Sequence, residues 1–259
     1  MMKSLFRPLC LVPVLLSLTL LAQPLRADDK MDRPAKSAEK ADLYYLKAGK
    51  PDAIELLAPP PLPDSPEQAA DINTVRAVSR AATSNDVAAA LSEAKFSVYN
   101  FASTVGPSFQ PNALPITTAF FQRVQMDAET VTDNSKNFFR RPRPYSVDRS
   151  LASGKLEKSF SYPSGHSTES MVLGLVLAEL FPDKHDAIVA HAREMGWHRV
   201  EIARHYPTDI YAGRVLAQAI VHQMNKSDQF QKDLAAAKKE LATLQAAAKQ
   251  STAPLAAAK

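Results

Sequence analysis

The stretch GHSTESMVLGLVLAELF, residues 165–181, decides the fold. A helix that met water on one side would carry a polar stripe along that side. Here Met171, Val172, Leu173, Leu175, Val176, Leu177 and Leu180 surround the helical wheel almost completely, which predicts a central helix buried on every face. Its continuous apolar run is about 11 residues, short of the roughly 20 a membrane span requires. The helix must therefore be covered by other protein segments.

Those segments also read as helices. Ser65-Pro66-Glu67 is a cap followed by proline at the first helical position, opening a helix to about Ala82. Ser84-Asn85 can cap a second, running to about Ala102, and a longer one spans Leu114 to Phe139. The run Arg140-Arg141-Pro142-Arg143-Pro144 must end it, because proline removes donors and biases the preceding residue to extended backbone. Residues 145–162, with Gly154 and scattered serines, read as loop. Helices follow from Pro182 to Arg204, from Pro207 through Val221, and from Ser227 to Lys249, the last amphipathic. Seven glycines in the chain and no alternating β-branched runs complete the case for an all-α fold. The expected architecture is a single-domain helical bundle around a buried central helix, over residues 64–250, preceded by an extended, proline-rich N-terminal arm at 28–63.

The first 27 residues read as an export signal: Lys3 and Arg7, an apolar run from Leu9 to about Ala22, then a polar stretch ending at Ala27. Cleavage there predicts an exported protein with no stable membrane insertion. It also removes three basic residues and lowers the net charge of +4 to +1. No basic run is interleaved with aromatics, which argues against a nucleic-acid partner. The single cysteine, Cys10, lies in the signal, so no disulfide or thiol chemistry is expected.

Three clusters carry chemistry. Lys136 and Arg143 sit either side of the helix break; taken alone, Lys136 reads as surface charge, whereas proline on both sides stiffens Arg143. Pro163-Ser164-Gly165-His166 lies where loop meets the apolar helix. There, free N–H groups, the helix dipole and a glycine-opened backbone favour an anion. Ser164 adds a hydroxyl, and His166 in the first turn could act as a general acid. The third cluster is Arg199, His205 and Asp209. A nucleophilic histidine needs its far nitrogen held by a carboxylate, and Asp209 is four residues from His205. Pro207 suits a first helical position, which would leave His205 just outside the helix; either geometry can join the pair. Three cations, two imidazoles and a carboxylate suit the handling of a phosphoryl group. The histidines show no metal-ligand spacing, and no phosphate-cradling glycine loop or dinucleotide fingerprint is present, so neither metal nor cofactor is expected.

Together the clusters resemble the three-part signature of the phosphatidic acid phosphatase type 2 superfamily, which includes the vanadium haloperoxidases. Its parts are Lys-x6-Arg-Pro, Pro-Ser-Gly-His and Ser-Arg-x5-His-x3-Asp. They stand here as Lys136 to Arg143-Pro144, Pro163-Ser164-Gly165-His166, and His198-Arg199 to His205 and Asp209. The N-terminal stretch Asp42 to Lys47, followed by Leu56 to Pro61, is similar to that of the class A bacterial non-specific acid phosphatases within it, and the likeness covers most of residues 42–245. The resemblance implies an all-α fold and metal-independent hydrolysis of varied phosphate monoesters at acidic pH. It further implies a phosphohistidine intermediate, a periplasmic home, small-molecule phosphomonoester substrates and a homo-oligomer.

Carried onto this chain, His205 would be the nucleophile, Asp209 its orienting partner and His166 the acid for the leaving group. Lys136, Arg143, Ser164, Gly165 and Arg199 would hold the phosphoryl oxygens. His198 departs from the signature, standing where it has Ser. The same pocket could instead hold vanadate as a haloperoxidase does, although those chains are generally much longer, or bind phosphate or phospholipid without catalysis.

Overall fold

Ser65 accepts a hydrogen bond from the Gln68 amide at 3.1 Å, and Pro66 takes the first helical position, so the first long helix starts where its capping residues put it. The structure, a computed structural model, describes residues 43–252, with side chains through 247. The export signal expected at 1–27 lies outside these residues. In chain order the helices are α1 (Ala53–Leu56), α2 (Pro66–Ala81), α3 (Ser84–Ser92), α4 (Ala102–Val105) and α5 (Pro115–Phe139). Then come α6 (Pro144–Val147), α7 (Gly165–Leu180), α8 (His185–Glu201), α9 (Pro207–Met224) and α10 (Asp228–Thr252). The described residues contain no strand, and the fold is all-α.

The apolar stretch at 165–181 is the central helix. Val172, Leu173, Val176 and Leu177 of α7 are fully buried, and α7 packs chiefly against α8, α9 and α5. Burying each such side chain contributes about 1.5–3 kcal/mol. Three glycines set how closely its neighbours approach. A Cβ at Gly174 would stand 3.0 Å from Cβ of Ala192 on α8. One at Gly196 would stand 3.1 Å from Ser167 Oγ, and one at Gly213 on α9 only 2.9 Å from the Ser164 carbonyl. The α7–α9 crossing thus sits at the start of α7, where the Pro-Ser-Gly-His cluster lies.

Helix boundaries differ from expectation in several places. Thr83 rather than Ser84 or Asn85 caps α3, in a reciprocal arrangement with Asp86. That helix ends at Ser92, well before Ala102, because Glu93 is buried against His198 and a second reciprocal cap, Ser97 with Asn100, starts a new turn at Val98–Phe101. The expected loop at 145–162 begins with α6 and a short 3-10 turn at Arg149–Leu151. The helix expected to reach Arg204 stops at Glu201: Ala203 takes a left-handed φ of 54°, and the amides of Arg204 and His205 turn back to the Arg199 carbonyl at 2.8 and 3.2 Å.

Two carboxylates tie distant segments to α5. Leu114 offers no capping oxygen, and Glu240 of α10 serves instead. It accepts from the Ile116 and Thr117 amides at 3.0 and 2.8 Å and from the Thr117 hydroxyl at 2.8 Å. Asp127, near the middle of α5, accepts the amides of Tyr44, Tyr45 and Leu46 at 2.8, 2.8 and 3.0 Å. Residues 43–63 thereby pack on the helices, helped by Tyr162 donating to the Ala58 carbonyl at 2.6 Å.

Replacing Gly213 by valine should force α9 away from α7 and cost about 1–3 kcal/mol. Urea unfolding checks this: the midpoint should fall with the slope preserved.

Candidate active site

Pro207 occupies the first position of α9 and places His205 just outside that helix, two residues beyond the left-handed Ala203. Asp209, in the first turn, is fully buried and is met by four donors. Arg141 reaches its Oδ1 at 2.6 Å. Its Oδ2 accepts from the Ser161 hydroxyl at 2.5 Å, the Tyr206 amide at 2.9 Å and His205 Nδ1 at 3.3 Å. On the other edge of the imidazole, Arg143 NH1 lies 2.9 Å from Nε2. A guanidinium can only donate, so Nε2 is the acceptor and the ring proton sits on Nδ1, facing Asp209. Burial, then the charges of Arg143 and Lys136, hold the His205 pKa well below its ordinary value. The ring is neutral, with its Nε2 lone pair turned toward a cation.

The cations converge from three elements. Lys136 is in the last turn of α5, which ends where Arg140 adopts a left-handed φ of 51°. Its ammonium donates to the Phe160 carbonyl at 3.1 Å, and burial followed by Arg143 lowers its pKa to about 8. Arg143 is buried between its two prolines, anchored to the Ser159 carbonyl and hydroxyl, both at 2.9 Å, and to the Arg204 carbonyl at 3.0 Å. Arg199, from the end of α8, is equally buried, and its Nε has no partner.

The start of α7 closes the cup. Ser164 caps it by accepting the Ser167 amide at 3.3 Å, and the Ser164 amide donates to the Asp209 carbonyl at 3.1 Å, linking the two helix starts. A Cβ on Gly165 would stand 3.9 Å from the Lys136 nitrogen, so this backbone lies beside the ammonium. The first amides of α7 have no acceptor within the helix. His166 is half-buried as a residue, but its Nε2 is buried and unpartnered, and its ring packs 6.2 Å from Phe96. Burial, then Arg199, lowers its pKa to about 4, although Glu157 and the Glu93 carbonyl favour the charged form.

All eight residues singled out in the sequence thus lie in this neighbourhood: seven are joined by contacts or through Glu157, and His166 follows Gly165 in the first turn of α7. Other members carry no local signal. Arg141 reads in the sequence as part of a helix break, yet it is buried, stacks 3.9 Å from the Tyr206 ring and donates to Asp71 at 2.6 Å, Gln68 at 2.7 Å and Thr208 at 2.7 Å besides Asp209. Glu157, from the loop, ion-pairs with both Arg143, at 2.5 Å, and Arg199. Ser161 could have been suspected only from its position just before Tyr162-Pro163. His198 is buried: its Nδ1 meets the Glu93 carboxylate at 2.9 Å, a hydrogen bond that raises its pKa. No group of three or more His, Cys, Asp or Glu able to hold a metal occurs among the described residues.

Residues 117–231 match the PAP2 superfamily. Over 222 residues the chain is 31% identical to a non-specific acid phosphatase of Providencia stuartii, spanning 79% of this chain and 87% of that protein. It is 28% identical over 215 residues to an acid phosphatase of Zymomonas mobilis, covering 80% of each. A non-specific acid phosphatase of Salmonella typhi is 31% identical over 162 residues, or 59% of this chain and 65% of that protein.

Arg141→Ala would leave Asp71 and Asp209 buried without their shared cation, at a cost of about 3–5 kcal/mol. A chemical denaturation curve should show the loss; a midpoint equal to that of the wild type would mean that Arg141 does not balance those carboxylates.

Proposed function

Because this chain belongs to the non-specific acid phosphatases of the PAP2 superfamily and hydrolyses phosphate monoesters, we propose that it does so without a metal, at acidic pH, through a phosphohistidine on His205. The observation that carries this is the pairing of His205 Nε2 with Arg143 at 2.9 Å while Nδ1 faces Asp209. The unprotonated nitrogen is the one that accepts from Arg143, beside the cations that would hold a phosphoryl group, and its lone pair turns to phosphorus when a phosphoryl oxygen takes over that guanidinium.

In the first step Nε2 attacks phosphorus and the bond to the ester oxygen breaks. Protonated His166 gives its proton to that oxygen, and the alcohol departs. Lys136, Arg143, Arg199, the Ser164 hydroxyl and the first amides of α7 stabilise charge on the equatorial oxygens. Asp209 stabilises the charge that develops on the His205 ring, as carboxylates do for catalytic histidines generally. In the second step water attacks phosphorus, His166 takes its proton, the P–N bond breaks and His205 regains its lone pair. The donors are all supplied by the protein, so no step calls for a metal. We place the mature enzyme in the periplasm after signal cleavage, as a homo-oligomer. Among the described residues no helix is long and apolar enough to cross a membrane.

The acidic optimum follows from His166. Its pKa of about 4 is that of a buried imidazole beside Arg199 and Lys136; negative charge in the cup offsets those cations and raises it. Sulfate, a dianion across the acidic range, should therefore take up to about one proton when it binds at pH 5.5. Calorimetry in two buffers of different ionisation enthalpy measures that uptake, and His166→Gln should abolish it.

His205→Ala should reduce turnover of p-nitrophenyl phosphate by roughly 10³-fold or more and eliminate acid-quenched protein-bound phosphate from labelled substrate. Retention of labelled phosphate in that variant would sink the phosphohistidine. Hydrolysis should persist in chelator. His166→Ala should lose about 10²–10⁴-fold on an alkyl phosphate and much less on p-nitrophenyl phosphate, whose leaving group needs little protonation. Equal losses on both substrates would remove His166 from the acid role.

A further inference from the structure

Glu157 is an acid that bridges two cations of the cup. Its two oxygens are divided between two guanidiniums: Oε2 is 2.5 Å from Arg143 NH2, and Oε1 pairs more closely still with Arg199 NH2. Those are two of the groups assigned to the phosphoryl oxygens. A carboxylate across a pair of guanidiniums presents its oxygens as two equatorial oxygens of a phosphoryl group would.

The backbone around Glu157 is anchored while its side chain is not enclosed. The Glu157 carbonyl accepts from the Tyr145 hydroxyl at 2.7 Å, and Ser159 is held by Arg143. Arg204 donates to the carbonyls of Ser153 and Lys155 at 2.5 and 3.3 Å, and the Ser161 amide donates to the Arg141 carbonyl at 2.8 Å. The Glu157 side chain is 32% exposed, whereas those of Arg143 and Arg199 are 3% and 5%. Solvent therefore meets the carboxylate before the guanidiniums, and a side-chain rotation uncovers them without moving the loop.

The charges point the same way. Lys136, Arg141, Arg143, Arg199 and Arg204 are five buried cations, and Asp71 and Asp209 supply two buried anions. That leaves a surplus of three positive charges, which Glu157 lowers by one and a phosphate dianion would lower by two. Burial works to raise the Glu157 pKa, but the charges around it, Arg143 first, outweigh it and hold it at about 2. The carboxylate therefore leaves as an anion.

We propose that Glu157 is an internal counter-ion seated where the phosphoryl group binds, so that substrate enters and phosphate leaves by exchange with its carboxylate. This rests on the assignment of Arg143 and Arg199 as phosphate ligands under the proposed function. Glu157 lowers the affinity for every phosphate species equally, and by retaking the guanidiniums it assists product release.

The test is the affinity of the intact protein for inorganic phosphate, measured by calorimetry at pH 7.5 in the wild type, Glu157→Gln and Glu157→Asp. The neutral, isosteric Glu157→Gln should bind phosphate roughly tenfold more tightly, the scale of one charge-assisted contact no longer competing. Its KM and its product-inhibition constant should fall together. Glu157→Asp keeps the charge but is one methylene shorter, so it should fall between the two and guards against a folding defect in the glutamine variant. Unchanged or weaker phosphate binding in both variants would overturn the proposal. Binding needs no turnover, so loss of labelled phosphohistidine would refute the covalent mechanism while leaving this result to stand or fall separately.

Discussion

A carboxylate with no exposure must have its lone pairs answered, and that requirement at Asp209 organises the molecule. Its four donors come from the break after α5, the loop before α7, the start of α9 and the imidazole itself. Arg141, the strongest of them, must in turn be held, and Asp71 of α2 holds it. A small apolar cluster of Ile72, Val75, Val200, Ala203, Tyr206 and Ile210 brings α2 to that position. The geometry of His205 is therefore a property of the whole bundle. Packing between α2 and α9 and charge balance around Arg141 both reach it through one carboxylate.

The cations pose the converse problem. Lys136, Arg143 and Arg199 lie in a protein interior where charge is costly, and backbone carbonyls of Phe160, Ser159 and Arg204 solvate the first two. Those carbonyls come from segments without regular structure, which can aim oxygens inward as helices cannot. The connections around the cup are thus its solvent. This accounts for a long irregular loop, tethered at several points, within an otherwise helical chain.

Much of this was legible in the sequence. The central helix followed from apolar residues on every face, and Pro207 correctly hinted that His205 stands outside α9. Lys136, Arg143, His166, Arg199, His205 and Asp209 were expected together only from the joint resemblance of three clusters to a known signature, since Lys136 alone reads as surface charge; the structure brings them into one neighbourhood. Arg141 was not legible: it sits among three arginines and two prolines, and its partners Asp71 and Asp209 are about 70 residues away on either side. Glu157 resembles any acid in a polar loop until Arg143 and Arg199 are in place. The early end of α3 has the same origin, since the Glu93–His198 pair joins residues 105 apart and overrides local helix preference. Local pattern gives elements and motifs; the partners of buried charges are decided by tertiary proximity.

The cap that Glu240 provides for α5 carries a consequence for biogenesis. The helix bearing Lys136 has no capping side chain of its own, and its cap is supplied by a residue more than a hundred positions later. A nascent chain emerging N-terminus first would carry that helix with a frayed beginning until almost all of it had appeared. The settled geometry of the helix that carries Lys136 thereby waits on a segment made long after the helix itself.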